Sequence, residues 1–310
     1  MFWPVVLDPA GPNASEIATL SWLLIAVVTV VFIAVCVALA TAVFGSHRWK
    51  RFLSHNGTIL TAGFAAPVVV LTALLLYSLV ITKSLSLGSE PEYLRVRVTG
   101  EMWWWRVDYL DSAGHQTIGD ANELNIPVGK SITLELESAD VIHSFWVPQL
   151  SGKKDMIPGR RNILHFSADK AGTYAGQCAE FCGGPHALMG LTVIAHQPED
   201  FEAWRTRRRT DPPPPKDDLA KRGAILFLNS GCAACHVVRG TSANGEAGPD
   251  LTFVGARKRL AAGILPNNRG TLAGWVADSQ AIKPGNRMPS YPMISAGDLQ
   301  AIAAYLEQLR

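Results

Sequence analysis

Two long stretches without a charge set the first constraint on this chain. From Ile17 to Phe44, and again from Thr58 to Thr82, there is no Asp, Glu, Lys, Arg or His. Each run exceeds the roughly 20 apolar residues that an α-helix needs to cross the hydrocarbon core of a bilayer. Two membrane-spanning helices, at about 17–44 and 58–82, are therefore expected within an N-terminal segment and hairpin covering residues 1–89. A cleaved signal peptide is the alternative for the first run, but the run is too long for a signal core and no basic segment precedes it. Pro67 is compatible with the second helix because neighbouring helices can satisfy the carbonyl it frees. The connection His47-Arg48-Trp49-Lys50-Arg51 carries three basic residues, the segment before the first run carries none, and Lys83 stands alone after the second. Cytoplasmic loops are enriched in Lys and Arg, so the connection is placed in the cytoplasm and both termini outside.

Beyond residue 90 the pattern changes to short β-like runs. In Leu94-Arg95-Val96-Arg97-Val98-Thr99 and Ile132-Thr133-Leu134-Glu135-Leu136-Glu137, apolar and polar residues alternate, the period of a strand with one buried face. Apolar runs at 141–147, 163–166 and 191–195, broken by turns such as Ser112-Ala113-Gly114 and Pro158-Gly159, predict a small β-sandwich over 90–200. His115, His165 and His196 are read as surface or core histidines of this domain.

Between the last two of these strands runs Cys178-Ala179-Glu180-Phe181-Cys182-Gly183-Gly184-Pro185-His186-Ala187-Leu188-Met189. Two thiolates, an imidazole and a thioether form a soft donor set that selects copper over magnesium, calcium or manganese. The spacing is too tight for a zinc ribbon of two separated CxxC pairs. His143, in Val141-Ile142-His143-Ser144-Phe145-Trp146, can supply a second imidazole from a neighbouring strand, giving enough ligands for two coppers bridged by both sulfurs. A structural zinc and a Cys178–Cys182 disulfide are the alternatives; the disulfide would leave His186 and Met189 without a role.

This loop, the preceding Asp140-Val141-Ile142-His143, the segment Ile157-Pro158-Gly159-Arg160 and the run Trp103-Trp104-Trp105 together resemble subunit II of cytochrome c oxidase over roughly residues 15–198. The resemblance implies a cupredoxin-like fold and a dinuclear CuA centre. Its side-chain ligands would be His143, Cys178, Cys182, His186 and Met189, with Glu180 ligating through its backbone carbonyl. The Glu180 carboxylate would face a magnesium or manganese site shared with subunit I. By the same resemblance Trp103 lies at the surface where electrons arrive; Met102 replaces the family's usual Gln, and plain β-strand burial is the other reading of the aromatic run.

Residues 201–218, with Arg207-Arg208-Arg209 and four consecutive prolines at 212–215, read as a solvated linker of polyproline character. Next comes Cys232-Ala233-Ala234-Cys235-His236, the CxxCH signature of covalent c-type haem with His236 as iron ligand. An amphipathic run from Leu219 to Leu228, Gly248-Pro249-Asp250-Leu251, and a closing run Asp298–Leu306 with apolar residues at helical spacing make residues 219–310 similar to an all-α class I cytochrome c. That resemblance implies Met288 as sixth ligand, with Met293 its competitor, and Pro249 and Trp275 in the haem environment.

Residues 90–200 carry 15 acidic and 9 basic side chains, whereas 219–310 carry 5 and 10. This opposition predicts that the domains dock electrostatically, with a contact that salt weakens. The resulting expectation is a two-pass subunit of a proton-translocating cytochrome c oxidase in a bacterial inner membrane, its copper and haem domains periplasmic. It would associate with subunits I and III and membrane lipid, and not with nucleic acid. Electrons would come from a periplasmic cytochrome c or a quinol–cytochrome c reductase. Filled metal sites leave no position for oxygen in this chain. A CuA subunit of a nitric oxide reductase, a copper delivery or assembly protein, and a zinc domain fused to a cytochrome are the competing readings.

Overall fold

The first uncharged run folds as helix α1, Pro12–Phe44, and its apolar side chains are almost all exposed, as lipid-facing residues are. A short basic helix, α2 (His47–Leu53), leads to α3 (Asn56–Leu60), a π-helical turn (Thr61–Ala65) and α4 (Ala66–Ser86). Together Asn56–Leu85 form a second apolar span. Pro67 sits just after the π turn, a local rearrangement of the helical ladder of the kind that accompanies sharp kinks. The computed structural model describes residues 5–86 and 92–310. It divides into two compact units: Ser15–Ser89, and Glu90–Arg310 with Met1–Ala14.

Ten strands build the β-sandwich. They are β1 (Leu94–Glu101), β2 (Trp104–Leu110), β3 (Gln116–Ala121), β4 (Glu123–Pro127), β5 (Ile132–Ser138), β6 (His143–Trp146), β7 (Lys154–Met156), β8 (Asn162–Phe166), β9 (Gly172–Cys178) and β10 (Gly190–His196). One sheet has the order β3-β2-β1-β5-β8 and the other β4-β10-β9-β6-β7. The alternation read along 94–99 is real: Leu94, Val96 and Val98 are buried and pair across β2 and β5. Tyr109 joins the sheets, its hydroxyl donating to Asn125 O at 3.0 Å and accepting from Asn125 N at 2.7 Å. The N-terminal segment is pinned to this domain: Ala10 N donates to Gln149 O at 2.7 Å and Asn13 Nδ2 to His165 O at 2.7 Å.

The expected linker over 201–218 is corrected. Helix α5, Pro198–Arg208, occupies its first part. Phe201, Trp204 and Arg208, spaced three and four apart on one helical face, are buried, and Trp204 lies 5.1 Å from Tyr109 between ring centroids. Exposed or half-buried charges occupy most of the rest of the helix, which is why composition reads it as solvated. Only residues 209–217 remain to connect to α6 (Asp218–Asn229), a reach of about 28 Å at polyproline rise.

The C-terminal domain is helical: α6, α7 (Arg269–Ala277), α8 (Ser279–Ile282) and α9 (Ala296–Gln308). Helices α6 and α9 cross at Gly223, where a Cβ would stand 1.9 Å from Ala301 O, so only glycine permits the approach. This domain rests on the sandwich through buried polar contacts. Arg257 Nε lies 2.8 Å from Asp120 Oδ1 and Arg208 Nη1 3.8 Å from Asp120 Oδ2, with all three side chains at most 5% exposed. The Glu123 carboxylate accepts from the backbone of Lys258 at 2.6 Å and Arg259 at 3.2 Å, and Gly190 N donates to Ala262 O at 3.0 Å.

Candidate metal centre and haem cavity

Adjacent strands deliver the sulfur and imidazole donors to one point. Cys178 ends β9, His143 opens β6, and Phe145 pairs with Cys178 in register. The intervening loop is closed by Cys178 N donating to Met189 O at 2.9 Å, and it is anchored to β6 by Ala179 N on Ser144 O at 3.0 Å. As a result Cys178 Sγ lies 3.8 Å from Cys182 Sγ and 3.9 Å from His143 Nδ1; Cys182 Sγ lies 3.4 Å from His186 Nδ1 and 3.8 Å from Met189 Sδ. The carbonyl oxygen of Glu180 stands 3.1 Å from Cys178 Sγ. The ligand atoms of His143, Cys178 and Cys182 all lie within 4.8 Å of one another.

This geometry bears on the alternatives. A sulfur separation of 3.8 Å is far beyond the ~2.05 Å of a disulfide. Half of it is shorter than a metal–thiolate bond of about 2.3 Å, so a single ion can touch both sulfurs, and there is such a position on either side of the line joining them. Five side-chain donors and a carbonyl exceed the four positions of a structural zinc. The donor set suits soft metal ions held at the two thiolates.

Electrostatics prepare the site for cations. The two thiols share a proton: their mutual hydrogen bond favours ionisation of Cys178, and that charge, with burial, holds the Cys182 proton on. Burial opposes the charge of Asp140, but donors from His143, Met102 N and Val141 N outweigh it and hold the carboxyl below its usual range. Asp140 Oδ1 accepts from His143 Nε2 at 2.9 Å. That bond fixes the ring so that Nδ1 faces the sulfurs, the usual device for orienting a ligating imidazole. The carboxylate of Glu180 lies 3.7 Å from Lys153 Nζ, with its side chain 45% exposed.

A second site lies in a cavity of ≈ 380 Å³ whose lining includes Cys232, Cys235, His236, Pro249, Trp275 and Met288. His236 Nδ1 donates to Pro249 O at 2.7 Å, which leaves Nε2 free, and burial lowers its pKa so that the ring is neutral. A neutral imidazole, a thioether and two unpaired cysteines on a largely apolar lining suit a covalently held haem. Met293 is 78% exposed and is not among the lining residues, whereas Met288 is.

Trp103 departs from the expectation of an open surface. It is half-buried: its Nε1 donates to Cys182 O at 2.8 Å, its carbonyl accepts from Lys283 Nζ at 2.7 Å, and with Met102 and Trp104 it forms part of the haem cavity's wall. His196, read as a surface or core histidine, is half-buried, stacks on Trp204 and bonds Asn125. The sequence reading missed Asp140, Lys283 and Arg287 as site residues. An Asp three residues before a ligating His is a usable signal for the first; the two cations carry none, because their partners lie about 100 to 180 residues away in the chain.

Comparison with known proteins matches residues 108–196 to the family described as cytochrome C oxidase subunit II, periplasmic domain, and residues 220–310 to cytochrome c. The chain is 35% identical to cytochrome c oxidase subunit 2 of Alkalihalophilus pseudofirmus, covering 98% of this chain and 90% of that one. It is 30% identical to the same subunit of Bacillus subtilis, covering 98% and 91%. Among solved structures, the periplasmic domain of subunit II of cytochrome oxidase from Bradyrhizobium japonicum is 31% identical, covering 39% of this chain and 96% of that one, with a TM-score of 0.36.

Proposed function

The chain belongs to the cytochrome c oxidase subunit 2 family, with a cytochrome c domain following its copper domain, and from that premise we propose that it is the subunit through which electrons enter a haem–copper oxidase. Electrons arrive at the C-terminal domain from an external donor, cross to the copper domain, and leave for the catalytic subunit, where oxygen is reduced to water. A copper pair and a covalent haem supply reversible one-electron chemistry when bound. The chain's own residues determine where that chemistry is held. Cys178, Cys182, His143, His186, Met189 and the Glu180 carbonyl would hold the copper, and Cys232, Cys235, His236 and Met288 would hold the haem.

The observation that carries this reading is the double contact of Trp103, bonded to Cys182 O at 2.8 Å and set in the wall of the haem cavity. It supports the reading because one residue touches both the copper loop and the lining of the haem cavity. Membrane sidedness has its own support: Ala10 and Asn13, around the start of α1, are bonded to the sandwich, which agrees with both ends of the hairpin lying on the copper domain's side. Subunits I and III as neighbours, a periplasmic cytochrome c or quinol–cytochrome c reductase as donor, and a magnesium or manganese ion at Glu180 belong to the same proposal. Metal analysis with electron paramagnetic resonance on the purified full-length chain tests it. Two coppers with hyperfine coupling to both nuclei and one covalent haem per chain are expected; one copper, or zinc in its place, overturns it.

A further inference from the structure

The loop that carries Met288 is tied to the metal loop of the other domain, and the tie runs through two cations. Lys283 and Arg287 flank a tight turn stiffened from within. Asn286 Nδ2 donates to Ser279 O at 3.0 Å and Lys283 O at 2.7 Å, Gln280 Nε2 to Met288 O at 2.7 Å, and Met288 N to Asn286 Oδ1 at 2.8 Å. From this turn Lys283, 3% exposed, crosses the interface and donates to Trp103 O at 2.7 Å and Leu188 O at 2.8 Å. Among the described residues no carboxylate pairs with it. Leu188 precedes the ligand candidate Met189, and Trp103 is bonded to Cys182 O. Arg287, next to Met288, reaches Asp140 Oδ2 at 3.3 Å, while Asp140 Oδ1 holds His143.

A buried amino group whose hydrogen bonds run to carbonyls of another domain tolerates little displacement, because moving away strands a buried donor and both of its acceptors. Each cation also lies one or two hydrogen bonds from a proposed copper ligand and within five residues of the proposed haem ligand. We propose that Lys283 and Arg287 are positioning residues that clamp the Met288 loop onto the copper loop, so that the two metal sites behave as one rigid body and electron transfer between them needs no docking step. The inference rests on the functional reading above for the roles of Met288 and the copper loop. Lys283 is shielded from salt by burial, whereas Arg287, at 57% side-chain exposure, is partly screened.

The test uses the full-length, metal-loaded chain with Lys283→Met, Arg287→Gln and Arg287→Lys. Hydrogen exchange read by mass spectrometry over 181–189 and 283–288 is compared with the rate of haem-to-copper transfer after flash reduction. In Lys283→Met, exchange in both segments is expected to rise together by about tenfold or more, and the transfer rate to fall and become salt-dependent. Arg287→Gln should raise exchange about two- to fivefold and alter the copper paramagnetic spectrum through Asp140 and His143, with Arg287→Lys restoring it. Loosening of 283–288 alone, with 181–189 and the copper spectrum unchanged in both Lys283→Met and Arg287→Gln, overturns the clamp. If the parent protein itself transfers no electron from haem to copper, the functional reading fails instead, and the coupled exchange still decides the clamp.

Discussion

Replacing Asp120 by Asn should separate the two soluble domains. The side chain sits on β3 at 1% exposure, 2.8 Å from Arg257 Nε and 3.8 Å from Arg208 Nη1, both guanidiniums being 5% exposed. Asparagine keeps the shape and one acceptor oxygen but removes the only carboxylate pairing with either Arg among the described residues. Breaking a buried ion pair from one side costs about 3–5 kcal/mol, which lowers the docked-to-undocked ratio by roughly two to four orders of magnitude. Against this, the short connection over 209–217 supplies an effective concentration on the order of millimolar, so the variant should populate an undocked state. Urea unfolding of the full chain in detergent, followed by haem absorbance and by tryptophan fluorescence, reads the effect. The parent should give coincident transitions and Asp120→Asn two separated ones, the haem signal moving first. Asp120→Leu with Arg257→Met should recover much of the loss, since a fitted apolar pair can replace a buried ionic one. Coincident transitions in Asp120→Asn, within about 0.5 kcal/mol of the parent, would refute the reasoning. Raising salt should not imitate the mutation, because buried charges are poorly screened. The charge split predicts instead a docking that salt weakens, and the same titration separates the two.

Met288→Ala should turn the haem high-spin or misligated with copper content unchanged, while Met293→Ala should leave the absorption spectrum as it is; the opposite pairing would move the ligand to Met293. Asp140→Asn removes the charge that orients His143 and should weaken copper retention about 10- to 100-fold, measured by competition with a chelator. Glu123 carries a carboxyl raised from 4.5 to about 7 by burial and by Asp120. Between those values the folded chain holds a proton that the unfolded chain has lost, so this contribution is present at low pH and disappears as pH rises through 7, by roughly 3 kcal/mol. Glu123→Gln should flatten that part of the stability profile between pH 5 and 8, and an unchanged slope in urea titrations would count against the assignment.

How much of this was readable in advance follows physical range. Charge-free runs, the period of two along 94–99 and the ligand spacing of 178–189 are local patterns, and each has its counterpart in α1, β1 and the sulfur cluster. Helix α5 was hidden because Phe201 and Trp204 are two apolar residues among many charged ones, and helical spacing is hard to see from so few points. The contacts of Asp120 with Arg257 and of Trp103 with Lys283 join residues 137 and 180 apart. Neither leaves a trace in local composition, so net charge could predict attraction between the domains without saying which groups meet or that water would be excluded from them.

The seating of the helical domain over Met102, Trp103 and Trp104 has a consequence for traffic. A mobile carrier approaching the sandwich at that turn meets ground already taken by a resident of the same polypeptide. On the proposed route, exchange with the outside would move to whatever rim of the C-terminal domain stays open, and selectivity among carriers would become a property of that rim instead of the tryptophan patch beneath it.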